Sequence, residues 1–590
     1  MIDEFDLLKD ESLILTAKSN LFHMKKVLLS LVAGLVSLSG FAQLSGTYTI
    51  DPNGSGPTNF TTWNAAVTAL ETSGVNGAVT MNVSDDTFNE NVQLDAIPGS
   101  STTNTVTFQA NPSNTGEAKL ASNAFFSHTM RIDGTSNVTF SGLTFESTGA
   151  YNRTIYLASS NTNILFEDNK IIAYSTTSTS NYYASIYSSF AGSNNVVFDG
   201  NEITNGQVYI YYSDDLVFTN NNIHDTYYYG VYLYNSDDTR WEDNYISAGG
   251  GSSYYGYGFY IYYGSGHNIL RNEIVGNGAY YNYGLRIYYH YGTSGNPTRI
   301  ENNIIRSAGN NLYYDYGIYT YYSGNLDIKH NTISSEGAGY GGYNLMLYNY
   351  SYSYGGNTVM NNILHCPNDG QGYGYNAYYY AYNVNTTFFD TLDGNVYDFH
   401  GGEMNVYAYS SGQVTSLSAL SSAVGGGESN GIITEVPFMG SGDFHINPSQ
   451  SALVIDNMGV NTNVNDDFDG EARSSTPDPG ADEFVVPTNN AGISDLVKPD
   501  APLCSDDTTV IATLANTGLV PLTSCTITYA LNGSVVTTMA FSGSIPVGGD
   551  TTLTLVSTTS FVDGDEVKVW SSMPNGVQDS NATNDTASVM

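Results

Sequence analysis

Two acidic doublets, Asp214-Asp215 and Asp237-Asp238, stand at the same offset before an aromatic residue, Phe218 in one case and Trp241 in the other. If those stretches lie one above the other, four carboxylates come together, as glycoside hydrolysis or calcium binding would want. The same offset elsewhere holds Asn194-Asn195, Ser265-Gly266, Asn296-Pro297 and Gly324-Asn325. These are turn formers, so the doublets also suit turns that happen to be acidic. A basic candidate is Arg286, with His290 close by in sequence. A lyase uses a basic residue with a Tyr or His to take a proton beside a carboxylate, whereas an Arg among tyrosines can simply stack on them. The run Asn465-Asp466-Asp467-Phe468-Asp469-Gly470 follows part of a calcium loop, but Thr476 occupies the twelfth place, where such a loop needs Glu. Asp467 and Asp469 are the candidate ligands and calcium the candidate ion. The same carboxylates, with Arg473, Asp478 and Glu483, also suit a structural tie.

What places these groups is a repeat. Phe166 with Asn169 and Ile171 is followed by Phe198, Asn201 and Ile203, then Phe218, Asn221 and Ile223. Trp241-Asn244-Ile246, Ile269-Asn272-Ile274, Ile300-Asn303-Ile305, Ile328-Asn331-Ile333 and Val359-Asn362-Leu364 continue it; Phe140-Leu143-Phe145 precedes and Leu392-Asn395-Tyr397 follows. Successive Asn positions lie 20 to 33 residues apart, one coil of a solenoid with a variable loop. Two apolar residues flank a bend, and Asn tolerates the left-handed conformation there while its amide bonds to the Asn above and below. About ten coils at ~4.8 Å each make a rod of roughly 45 Å. The Asn row is structural, not catalytic.

A second strand recurs in every coil. Val208 and Ile210 point inward, so Tyr209 and Tyr211 point out. Val231 to Tyr234, Phe259 to Tyr262, Leu285 to Tyr288, Ile318 to Tyr321 and Leu345 to Tyr348 repeat the alternation. Two outward columns result: Tyr209, Tyr232, Tyr260, Arg286 and Tyr319, beside Tyr211, Tyr234, Tyr262, Tyr288, Tyr321 and Tyr348. Aromatic ladders stabilise sheets by about 0.2 to 1 kcal/mol per pair. Two exposed columns, extended by loops such as Tyr227 to Tyr229 and Tyr254 to Tyr257, also make a flat amphipathic surface suited to sugar rings or a protein face.

The 590 residues carry 17 basic against 56 acidic side chains, a formal charge of -39, which repels phosphate backbones and excludes nucleic acid as a partner. Met24-Lys25-Lys26, the apolar run Val27 to Ser39 and Gly40-Phe41-Ala42 form a secretory signal over 24–42 with cleavage after Ala42, placing the mature chain outside the cell or on its surface. The acidic stretch 1–23 is odd ahead of such a signal, so Met24 is the expected natural start. No later segment is apolar for long enough to span a membrane. Thr61 to Leu70 has helical spacing and predicts a plug for the open end of the solenoid. With three cysteines, only Cys504 and Cys525 are expected to pair. After a linker at 486–491, residues 492–590 alternate as short strands, with Asn532-Gly533 marking a hairpin, and predict a β-sandwich.

On these residues the chain resembles the right-handed parallel β-helix proteins secreted by Bacteroidetes, over roughly 44–485. The stretch 44–135 corresponds to the N-terminal cap and first coils. The stretch 400–485, through Asp467 to Arg473 and Gly480 to Phe484, looks like the closing segment of those solenoids. Residues 492–590 resemble a CARDB-like adhesion module through Asn516-Thr517-Gly518 and Asp579 to Asp585. The resemblance implies an all-β fold, a right-handed parallel β-helix followed by an Ig-like or CARDB-like sandwich. That family includes polysaccharide lyases, glycoside hydrolases and non-catalytic surface proteins, so the fold does not choose among them. The expectation is a non-catalytic protein that binds a polysaccharide, a cell-surface glycan or a surface protein through its tyrosine face. The alternative is a polysaccharide-degrading enzyme, lyase before hydrolase, acting on that face.

Overall fold

The structure, a computed structural model, describes residues 43–590 except 175–176, 190–192, 251–252, 309–312, 337–340, 350–353, 368–387, 400–405, 409–411, 441, 449, 500–508, 557–561, 563, 580 and 582–583. The leader expected at 24–42 and the residues before it lie outside the described residues, as does Cys504. Cys525 is buried and forms no disulfide with a described residue.

Each coil consists of three short strands. The strands of successive coils pair in parallel, giving sheets of 14, 13 and 10 strands among the described residues, here sheets 1, 2 and 3. Alternation sends every second side chain inward. Sheet 1 stacks Phe140, Phe166, Phe198, Phe218, Trp241, Ile269, Ile300 and Ile328 in register, and sheet 2 stacks Phe145, Ile171, Ile203, Ile223, Ile246 and Ile274. Sheet 3 contributes Ile155, Ile186, Val208, Val231, Phe259, Leu285, Ile318 and Leu345. The rings of Phe166, Phe198 and Phe218 lie 4.7 Å apart and nearly parallel, the spacing that coil height imposes on equivalent aromatics. Helix Trp63–Ser73, capped by Thr62 and ended by Gly74, buries Trp63, Ala66, Val67 and Leu70 over the first coils, and Trp63 stacks on Phe108 at 5.1 Å.

The bend between sheets 1 and 2 is held by the asparagine row. Each Asn receives hydrogen bonds on its side-chain oxygen from the backbone N–H and amide of the Asn one coil earlier, and its own amide donates to a carbonyl of the earlier coil. Asn272, for example, accepts from Asn244 N (3.1 Å) and Nδ2 (2.9 Å) and donates to Trp241 O (2.9 Å) and Asn303 Oδ1 (3.0 Å). The row runs unbroken from Asn169 to Asn395. It ends on Glu428, 5 % exposed, whose Oε1 accepts from Asn395 Nδ2 (2.7 Å) and the Tyr397 hydroxyl (2.7 Å).

Segment 443–484 folds back over the outer face of sheet 2, covering Ile304, Ile363 and Val396. It is strapped across several coils by Arg271 to Asp466 (2.6 Å) and by Arg473, which donates to Asn302 Oδ1, Asp466 O, Asp478 O, Gly480 O, Ala481 O and Glu483. The C-terminal unit packs a sheet of Ala491–Lys498, Thr509–Asn516 and Asp550–Val556 against one of Leu522–Leu531, Ser534–Ile545, Val567–Ser572 and Thr586–Val589. Asn532 and Gly533 both take positive φ (48° and 74°) in the hairpin turn between Leu522–Leu531 and Ser534–Ile545.

Candidate functional site

The outer face of sheet 3 carries the tyrosines. Strands Tyr229–Tyr234, Tyr255–Tyr262, Tyr281–Tyr288, Tyr314–Tyr321 and Gly341–Tyr348 begin earlier than the alternation alone suggested, so Tyr229, Tyr255, Tyr257, Tyr281 and Tyr314 belong to strands and not to loops. Their register adds a column of Tyr229, Tyr257, Tyr283, Tyr316 and Tyr343 beside the two expected ones.

The expected columns are present but are not an open, flat platform. Tyr260 is only 8 % exposed, and Tyr209, Tyr211, Tyr232, Tyr234, Tyr262, Tyr288, Tyr319, Tyr321 and Tyr348 are half-buried. Burial pushes the Tyr209 and Tyr260 phenols up to about 12, so both remain protonated donors at neutral pH. Along the outer column, Tyr211, Tyr234, Tyr262, Tyr288, Tyr321 and Tyr348 stack at 4.4–5.5 Å with interplanar angles of 8–22°. Coil height nearly equals the stacking distance, so each inner ring has a column neighbour on both sides. What this column turns to solvent is ring edges and hydroxyls.

A further column follows it in the turn to sheet 1. Tyr212, Tyr263, Tyr289 and Tyr322 each stand at 85–89° to the preceding tyrosine, with centroids 4.4–4.7 Å apart. Tyr289 is also close to perpendicular to Tyr262 and Tyr321 (86° and 81°). Tyr212 is exposed, and Tyr263, Tyr289 and Tyr322 are half-buried, like the outer column. They adopt left-handed backbone, φ 52°, 60°, 55° and 49°, as does Asn235 (50°) at the same place. A side chain other than Gly, Asn or Asp pays roughly 1 kcal/mol in that region. The next left-handed position in the same turn holds Asn137, Asn163, Asn195, Asp215, Asp238, Gly266 and Asn325, the residues that avoid this cost.

The groups considered for catalysis are otherwise engaged. Arg286 faces out within a cage of Tyr257, Tyr260, Tyr283, Tyr288 and Tyr319, its guanidinium carbon 5.0–5.4 Å from each ring centre, and Nη1 donates to the Tyr257 hydroxyl at 2.8 Å. His290 is fully enclosed, with Nε2 2.6 Å from Thr298 Oγ1 and Nδ1 3.0 Å from the Gly324 carbonyl, and burial lowers its pKa to about 4. It therefore shares no groove with Arg286. The doublets do lie on adjacent coils: Asp214 accepts from Asp237 N–H (2.8 Å), Asp237 from the Ser265 hydroxyl (2.8 Å), and Asp238 from Asn296 Nδ2 (2.8 Å). Asp215 and Asp238 both have φ 56°, as turn residues do.

Asp467 and Asp469 come together with Asp482, which the sequence pattern did not single out, and one oxygen of each lies within 4.8 Å of the others. Asp467 accepts three backbone N–H groups, from Asp469, Glu471 and Glu483; Asp482 accepts Ile446 N–H; and His445 Nε2 lies 3.1 Å from Asp469. The trio offers oxygen ligands of the kind calcium takes, while these bonds already tie the strap.

A family profile described as "Right handed beta helix region" matches residues 129–296. No curated protein sequence matches the chain. Among solved structures, a tailspike capsular polysaccharide depolymerase of Acinetobacter baumannii bacteriophage Fri1 is similar at 11% identity and TM-score 0.30, over 87% of this chain and 81% of that one. A rhamnogalacturonan lyase is similar at 13% identity and TM-score 0.27, over 67% of this chain and 91% of that one. Among the described residues, no helix is long and apolar enough to cross a membrane. Parallel coil-on-coil pairing, three strands to a coil, and this family match identify the body of the chain as a right-handed parallel β-helix.

Proposed function

We propose that the chain is an exported, non-catalytic protein that binds glycan through the tyrosine surface of sheet 3, with the C-terminal sandwich as an adhesion or spacer module. The observation that carries this reading is the continuity of that surface: tyrosines keep register across the strands from Val208–Tyr211 to Gly341–Tyr348. Such a surface presents hydroxyl donors and ring carbon together, the combination that suits a sugar's mixed faces. Arg286 supports binding over lyase chemistry, because its guanidinium is spent on rings and a phenol. The test incubates the chain from residue 43 with immobilised polysaccharides and follows retention together with released reducing or unsaturated ends. Retention without product is expected. Product formation that disappears in Arg286→Ala would overturn the reading in favour of a lyase.

A further inference from the structure

We infer that the outer face of sheet 2 holds a second glycan site, where the ring of Tyr245 stacks on one unit of an uncharged oligosaccharide whose neighbouring units lie in the concavities on either side. Tyr245 opens the strand Tyr245–Ala248 and points outward, in register with Glu202 and Asn222 before it and Glu273 after it, so an aromatic interrupts a polar column. It is 39 % exposed. The other exposed tyrosines among the described residues, Tyr151, Tyr174, Tyr212, Tyr254 and Tyr291, each lie against another ring. Tyr245 meets no ring, and its hydroxyl has no hydrogen-bond partner among the described residues. A sugar packs its apolar C–H face on an aromatic face, and a ring without neighbours has one to offer.

The surroundings of that ring are concave on both sides. One concavity, of about 270 Å³, lies at the start of the strand and is lined by Asp243, Asn244, Tyr245, Arg271, Glu273 and Phe468, the last contributed by the strap. The other, of about 160 Å³, lies at its end, where Asp225, Ser247 and Asn277 join Tyr245. Tyr245 is common to both, so they form one groove that runs along the strand and across the coil axis. Each is smaller than the ~300–1,000 Å³ pockets that enclose a drug-sized ligand, which suits single sugar units. Charge selects the ligand class. Arg271, the cation lining the groove, already bonds Asp243 (2.8 Å), Asp466 (2.6 Å) and Glu242, and Arg306 beside Glu273 is held by Glu336 (2.8 Å). Uronic acid or sulfated units would therefore meet Asp225, Asp243 and Glu273 as like charge. Neutral sugar hydroxyls instead find carboxylate acceptors at both ends of an aromatic face.

This site shares the ligand class proposed for sheet 3 and none of its residues, so the two are tested apart. Tyr245→Asn copies Asn222, which fills the same place one coil earlier, and should melt at nearly the parent's temperature. Tyr245→Phe keeps the ring and gives up the hydroxyl. The exported chain is titrated calorimetrically with short neutral oligosaccharides (β-glucan, xylan or mannan fragments) and short acidic ones (alginate or polygalacturonate fragments), beside retention on the corresponding immobilised polysaccharides. A neutral oligosaccharide is expected to bind and the acidic ones are not. Tyr245→Asn should lose roughly tenfold in affinity, about the worth of one ring contact, while Tyr245→Phe keeps most of it. Neutral binding that Tyr245→Asn retains overturns this site and leaves the sheet 3 reading standing. Equal losses in Tyr245→Asn and Tyr245→Phe overturn stacking on the ring face, and binding of acidic oligosaccharides alone overturns the ligand class. A chain that is retained on polysaccharide but binds no oligosaccharide overturns this site alone, whereas loss of both overturns it together with the binding reading.

Discussion

Glu428 gives the most quantitative handle on the solenoid. Its carboxylate ends the asparagine row from a fully packed position, and burial raises its pKa from 4.5 to about 7, against the opposing pull of hydrogen bonds from Tyr397 and Asn395. A group that holds its proton more tightly when folded contributes its stability below the unfolded pKa and loses it as pH rises through the folded one. Between pH 4.5 and pH 8.5 the coil around Asn395 should therefore lose about 3 kcal/mol on account of this one group. Glu428→Gln removes the titration while keeping an oxygen for the Asn395 amide and the Tyr397 hydroxyl, both at 2.7 Å. It gives up only the 3.3 Å bond from Asn395 N–H, worth about 1 kcal/mol. The variant should thus be slightly weaker than the parent at pH 4.5 and stronger by roughly 2 kcal/mol at pH 8.5. Hydrogen exchange at the Asn395 and Tyr397 amides, normalised for intrinsic exchange at each pH, reads this locally. Taking the difference between the two proteins cancels Asp478, Asp482 and Asp585, which burial also moves to about 7. A stability difference that stays constant between the two pH values would refute the reasoning.

Removing a middle rung should be costlier. Asn272→Ala leaves Asn244 N–H and the Trp241 carbonyl without partners, and is expected to raise exchange in the neighbouring coils by about 3 kcal/mol without unfolding the distant ones; a uniform rise along the chain would speak against a row of local contacts. Arg286→Gln takes the cation from its cage of rings and should cost about 1–2 kcal/mol in thermal unfolding. Arg473→Lys cannot reproduce the fork that ties the strap, so limited proteolysis should cut within 443–484 in the variant well before the parent.

The solenoid was legible because its determinants are periodic and local. Asn169 to Asn395 could be aligned by spacing alone, and alternation sent Val208 and Ile210 inward correctly. The chemistry of the tyrosine face was less so. Alternation predicts which side of a sheet a ring occupies, but not whether its faces are already covered by equivalent rings a coil away. The doublets Tyr211-Tyr212, Tyr262-Tyr263, Tyr288-Tyr289 and Tyr321-Tyr322 recur at one register, and that recurrence was the available sign of the perpendicular row. It was easy to miss, because the second tyrosine breaks the alternation just where the strand gives way to a left-handed turn. Asp482 was missed for a different reason: only the folding back of the strap brings it beside Asp467 and Asp469.

The asparagine row has a direction. Each amide both receives from the coil before and gives to the coil after, so the row could in principle be extended indefinitely, from one molecule into the next, wherever a fresh acceptor arrived. A carboxyl group receives through both oxygens but, unlike an amide, has no N–H to pass on. Placing Glu428 after Asn395 makes it a chain terminator in the polymer chemist's sense: it consumes the last donors of the growing row and leaves no live end on which a second molecule could continue the stack.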